Sequence, residues 1–126
     1  MLNKNHNKKI IIVEEESQNH EFFQRILSRK YHISCVENKE TAYELINQEN
    51  PDLIIISRNG RQTIDLCAKL KTKEQTKDIP ILVIADDGSN IVEYYFRRVD
   101  GFLIKPFAES ELLNHAQELI RSDEVL

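Results

Sequence analysis

Five short apolar runs, rich in β-branched residues, recur along the chain: KIIIV at 9–13, HISCV at 32–36, DLIII at 52–56, ILVIA at 81–85 and GFLI at 101–104. Their apolarity is nearly continuous rather than alternating, as in strands covered on both faces within a parallel sheet. The segments between them follow helical spacing instead. Phe22, Phe23, Ile26 and Leu27 form one stripe, with Ser17 or Asn19 as its cap. Asn38 caps a second helix that turns Ala42, Leu45 and Ile46 inward and stops at Asn50-Pro51. Ile64, Leu66, Cys67 and Leu70 define a third. The fourth is expected to bury Ile91, Val92, Tyr95, Phe96 and Val99, leaving Tyr94, Arg97 and Arg98 toward solvent, and the last to bury Leu112, Leu113, Ala116, Leu119 and Ile120.

Strand followed by helix, five times over, predicts an α/β domain with a five-stranded parallel sheet, doubly wound with helices on both faces. Ligands of such folds sit outside the carboxyl ends of the strands, where the strand order reverses. The residues just after the strands are therefore the candidates. They are Glu14, Glu15 and Glu16, then Ser57, then Ala85, Asp86 and Asp87, and finally Lys105 and Pro106. Asp86 and Asp87 precede Gly88 and Ser89, so turn chemistry is their default role.

Length and composition narrow the picture. At 126 residues the chain is expected to form one domain, 8–121, with residues 1–7 and 122–126 as flexible tails. A net charge of −4 with scattered Lys and Arg argues against a nucleic-acid surface. Cys35 and Cys67 have neither zinc nor disulfide spacing, so they read as reduced core thiols of a cytoplasmic protein. His6, His20, His32 and His115 have no ligand spacing and receive no role. No run is long enough for a signal-peptide core or a membrane span.

Four stretches in order, IIIVEEES, PDLIIIS, IPILVIA and VDGFLIKPF, carry a family likeness. From about Lys8 to Arg121 the chain resembles the receiver domain of bacterial two-component response regulators. The resemblance implies the flavodoxin-like (βα)5 form of the fold. It also implies that Glu14 and Glu15 occupy the positions of a magnesium-holding acidic pair, and that Ser57 stands where the phosphoacceptor aspartate would be. Ala85 replaces the switch hydroxyl residue, and Phe102 holds the switch aromatic position without a phenol oxygen. Lys105 alone keeps the family identity, followed by Pro106 in a bond that is typically cis. The loop RNGRQT after the third strand is about two residues shorter than the family's.

These departures matter chemically. A carboxylate is a ready phosphoryl acceptor, whereas a serine hydroxyl requires an adjacent general base. Removing a charged oxygen also weakens any magnesium site. The expected reading is a degenerate pseudo-receiver: no metal, no cofactor, no enzymatic activity. In it Lys105, Glu14, Glu15 and the Ser57 hydroxyl form a static hydrogen-bonded cluster. Function then falls to protein contacts through the fourth helix, fifth strand and fifth helix, with Tyr94, Arg97 and Arg98 on the binding face. The implied partner is a histidine kinase, an output domain or a second copy, with neither nucleic acid nor membrane involved. The alternatives are a small-ligand sensor using the crevice of the sheet, and an atypical phosphoacceptor at Ser57.

Overall fold

The computed structural model describes residues 7–58 and 60–121. The expected tails, save residue 7, lie outside the described residues, as does Asn59 in the loop after the third strand. The strands are β1 (Lys9–Val13), β2 (His32–Val36), β3 (Leu53–Ser57), β4 (Ile81–Ala85) and β5 (Gly101–Ile104). The helices are α1 (His20–Leu27), α2 (Lys39–Glu49), α3 (Arg61–Thr72), α4 (Ile91–Phe96) and α5 (Glu109–Arg121). All neighbouring strands pair in parallel, in the order β2-β1-β3-β4-β5. The parallel sheet is the one the apolar runs predicted, in the flavodoxin-like order that the resemblance implied.

Alternation along each strand sorts the apolar residues into two cores. Ile11, Val13, Ile54, Ile56, Ile81 and Val83 pack with residues of α2, α3 and α4. Ile10, Ile12, Leu53, Ile55, Leu82 and Ile84 pack with α1 and α5. With both faces occupied, an interior strand has no polar side to show, and β3 and β4 are buried from end to end. Edge strand β2 is only half-buried.

Local signals mostly behave as read. The Asn38 side chain accepts from the Thr41 N–H at 2.8 Å, and Asn50 ends α2 in the left-handed region at φ 51°. Asn19 holds the N-cap position of α1 but makes no capping side-chain bond, and Ser17 lies earlier, at the start of a short 3₁₀ turn, Ser17–Asn19. Gly101 sits where a Cβ would come within 3.0 Å of Leu82 and 3.3 Å of Leu119, so β5 and α5 approach too closely for a larger residue.

The fourth helix corrects the sequence reading. Tyr94 is fully buried, whereas Val92 and Phe96 are 78% and 83% exposed and Tyr95 is 55% exposed. The cause is where the helix ends. Arg98 adopts φ 68°, the Arg98 N–H donates to the Tyr95 carbonyl at 2.9 Å, and the Val99 N–H donates to the Tyr94 carbonyl at 3.1 Å. That is a Schellman termination, in which the residue beyond the turn packs on the residue three from the helix end. Here those residues are Val99 and Tyr94, members of one core. Val99 is therefore no part of the helical stripe, and including it rotated the expected buried face away from Tyr94.

Arg98 bears the steric cost of a left-handed residue with a Cβ. Arg98→Gly is expected to stabilise the protein by about 0.5–1 kcal/mol, read as a higher urea midpoint at unchanged slope.

Candidate functional site

The strand order reverses between β1 and β3, so the crevice at their carboxyl ends is bordered by Glu14 and Ser57. Glu14 follows the last residue of β1 and is held on the sheet by its N–H, which donates to the Val36 carbonyl at 2.9 Å. Its side chain is buried, and Oε2 accepts from the Glu16 N–H at 3.0 Å. Among the described residues Glu14 has no ion-pair partner. Ser57, the last residue of β3, is 5% exposed, and its Oγ has no hydrogen-bond partner.

The other rim residues disperse. Glu15 is exposed and pairs with Arg58, on the far side of Ser57. Glu16 is exposed and accepts from Asn19 Nδ2 at 3.4 Å. Lys105 is half-exposed, and its Nζ lies 3.9 Å from Asp86. Asp87 accepts from the Ser89 N–H at 2.9 Å, the turn role expected of it, and hydrogen bonds with the Ser89 side chain first and this N–H second hold its carboxyl below the usual range.

The expected cluster of Lys105 with Glu14, Glu15 and Ser57 is therefore not formed. The sheet explains why. β4 lies between β3 and β5, which sets Ser57 and Lys105 two strand spacings apart, roughly 9–10 Å between backbones. Asp86, at the end of the intervening strand, meets the ammonium first. Arg58 claims Glu15 in the same way from the residue after β3.

Ala85 ends β4 buried, its carbonyl accepting the Lys105 N–H at 2.9 Å, and it presents no hydroxyl. The Lys105-Pro106 bond is cis, as the resemblance implied. Phe102 turns inward: it packs on the core of α2, α3 and α4, with its ring 5.5 Å from that of Tyr94. The neighbouring Tyr94 ring carries a phenol oxygen. Tyr94 Oη accepts the Gly60 N–H at 3.2 Å, at a residue with φ 121° that precedes α3. Burial pushes the Tyr94 phenol above its ordinary range, so it holds its proton. Tyr94 is thus a tether between α4 and the loop after β3, and Arg97 and Arg98 alone of the expected trio stand at the surface.

His20 is a site neighbour that ligand spacing did not reveal. Its Nε2 lies 2.8 Å from the Glu14 carbonyl, the ring N–H donating. The available signal was its place at the start of α1, four residues after the acidic triplet. The cysteines do behave as core thiols: burial raises Cys67 to about 12 and Cys35 to about 11, so both stay protonated near neutral pH.

Two adjoining cavities open over Ser57. One, of about 340 Å³, is bordered by Glu14, Ser57, Lys105, Phe22 and Phe107 among others. The second, of about 300 Å³, shares Glu14, Asn19, Ser57 and Lys105 and extends to Arg58 and Asp86. Among the described residues no three Asp, Glu, His or Cys side chains are grouped to hold a metal ion. No helix among them is long and apolar enough to cross a membrane.

A family model described as the response regulator receiver domain matches residues 10–117. The chain is 30% identical over 119 residues to the phosphate regulon transcriptional regulatory protein PhoB of Pseudomonas aeruginosa, covering 90% of this chain and 52% of that protein. It is 27% identical over 118 residues to the transcriptional regulatory protein ResD of Bacillus subtilis, covering 90% and 48%. The chain thus spans about half the length of these curated relatives. The signal receiver domain of a signal transduction histidine kinase from Syntrophus aciditrophicus superposes with a TM-score of 0.81 at 26% identity, over 92% of each chain.

Proposed function

The chain belongs to the response regulator receiver domain family, and from that premise we propose that it acts as a phosphorylation-independent signalling adaptor, a pseudo-receiver that binds a protein partner and catalyses no reaction. The observation that carries this reading is the apolar face of α4. Val92, Tyr95 and Phe96 are exposed at three- and four-residue spacing on the unphosphorylated chain, with Ile104 of β5 43% exposed. Large apolar residues grouped in water mark a contact surface. Arg97 and Arg98 flank this face and supply polar contacts at its rim.

The pocket supports the same reading. Ser57 stands where the family carries its acceptor aspartate, and its hydroxyl touches no base that would activate it. The donors do not fit the magnesium ion the family implies: Glu14 offers one buried carboxylate, Glu15 is committed to Arg58, and Ser57 offers a neutral oxygen. Ala85 and Phe102 lack the hydroxyl groups that would follow a phosphoryl group. The partner is a histidine kinase, an output domain or a second copy of the chain, met in the cytoplasm.

The test is amide NMR before and after addition of magnesium with beryllofluoride, the mimic of a phosphorylated aspartate. Unmoved resonances of Ser57, Phe102, Lys105 and α4 are expected. Saturable shifts spreading from Ser57 into α4 would mean that the pocket binds the mimic and switches, and would overturn the reading.

A further inference from the structure

The polar groups around the cavity of about 340 Å³ are unusually short of partners. Glu14 is 4% exposed and has one backbone N–H on its carboxylate and no cation. A buried carboxylate in that state is costly unless a positive group approaches. Ser57 Oγ is buried and makes no hydrogen bond among the described residues, a deficit that a ligand oxygen would remove. Among the described residues the Lys105 ammonium has only the 3.9 Å contact with Asp86, itself 85% exposed, a pair too weak to hold it against a better acceptor. Glu14 and Lys105 do not pair with each other among the described residues. One cavity therefore presents a negative group, a positive group and a hydroxyl, each with room for a further partner.

Apart from Asn19, the remaining wall is apolar. Phe22 of α1 and Phe107, beyond β5, meet edge to face with ring centres 6.0 Å apart. The volume lies at the small end of the range for ligand sites, about 300–1,000 Å³, which suits a metabolite of few heavy atoms. A simple anion would be repelled by Glu14, and a simple amine by Lys105. A molecule carrying both charges on neighbouring atoms with an apolar tail satisfies every group.

We propose that this cavity binds a small zwitterionic amino acid with an apolar side chain. Its ammonium meets Glu14, its carboxylate meets Lys105 and the Ser57 hydroxyl, and its side chain lies against Phe22 and Phe107. Occupancy here and contact at the α4 face are separate properties, so failure of either leaves the other standing.

The experiment is amide NMR titration of the full chain with L-leucine and L-phenylalanine to about 10 mM, the range that detects millimolar binding. 3-Methylbutylamine, lacking the carboxylate, and 4-methyl-2-oxopentanoate, lacking the ammonium, are titrated in parallel. Saturable shifts of Phe22, Ser57, Lys105 and Phe107 are expected with at least one amino acid, and each truncated analogue is expected to bind at least about tenfold more weakly, having lost a charge-assisted hydrogen bond. Ser57→Ala is expected to weaken the amino acid by about threefold to tenfold. The absence of saturable shifts with both amino acids, or equal affinity for leucine and its two analogues, would overturn the proposal. The analogue series uses the unaltered protein, so it stands whether or not a variant folds.

Discussion

Replacing Tyr94 by Ala is expected to lower the free energy of unfolding by about 3–5 kcal/mol, the range for truncating a buried aromatic ring. Tyr94 is fully buried, its ring packs on Phe102, and Val99 closes the helix end in the same core. Against a total stability of about 5–15 kcal/mol, the loss is expected to displace the urea midpoint far more than any surface change. Tyr94→Phe keeps the ring and removes the hydroxyl that accepts the Gly60 N–H and bonds the Thr63 side chain, so about 0.5–1.5 kcal/mol per lost bond is expected. The two variants together separate packing from tethering. A loss below about 1.5 kcal/mol for the Ala variant would mean that α4 is not anchored through this ring.

The second large effect is expected at Ser57, on substitution by Asp. A carboxylate there lies across the β1–β3 crevice from the buried Glu14, while Lys105 follows β5, two strands away from Ser57. Two carboxylates at one buried site repel, so about 1–3 kcal/mol of stability is expected to be lost in metal-free buffer at neutral pH. The sign reverses when a divalent cation is supplied. A second carboxylate restores a hard oxygen site, and magnesium at a hundred times its dissociation constant returns about 2.7 kcal/mol. Thermal unfolding of both proteins with and without magnesium reads this directly. The natural chain is expected to be indifferent to the ion and S57D to respond. An equal response from both would show that Glu14 and the Ser57 hydroxyl already hold the metal, contrary to the donor set.

How legible the site was depends on the kind of residue. Each residue at a strand end was found from the apolar run before it, because a strand buried on both faces announces its end by the first polar side chain. Asp87 was read as a turn residue for a local reason, and the N–H of Ser89 confirms it. The fourth helix was misread because six residues are too few for a 3.6-residue period to set the phase. A single apolar residue beyond the helix, Val99, was then enough to rotate the stripe. Arg98 gave no warning, since Gly or Asn is the usual signal of a left-handed turn.

The sequence by itself determined the five strands, the parallel sheet and the set of residues delivered to its rim, because these follow from short-range periodicity and from the need to bury continuous apolar runs. The family resemblance further implied that Ser57, Ala85 and Phe102 stand at the acceptor and switch positions. Which rim residues meet was decided by the tertiary structure alone. Asp86 took Lys105 and Arg58 took Glu15, leaving Glu14 and Ser57 buried without such partners, because ion pairing depends on distances across strands that no local pattern encodes. The same holds for Tyr94, drawn inward by Phe102 and the Gly60 N–H, contacts that lie 8 and 34 residues away along the chain.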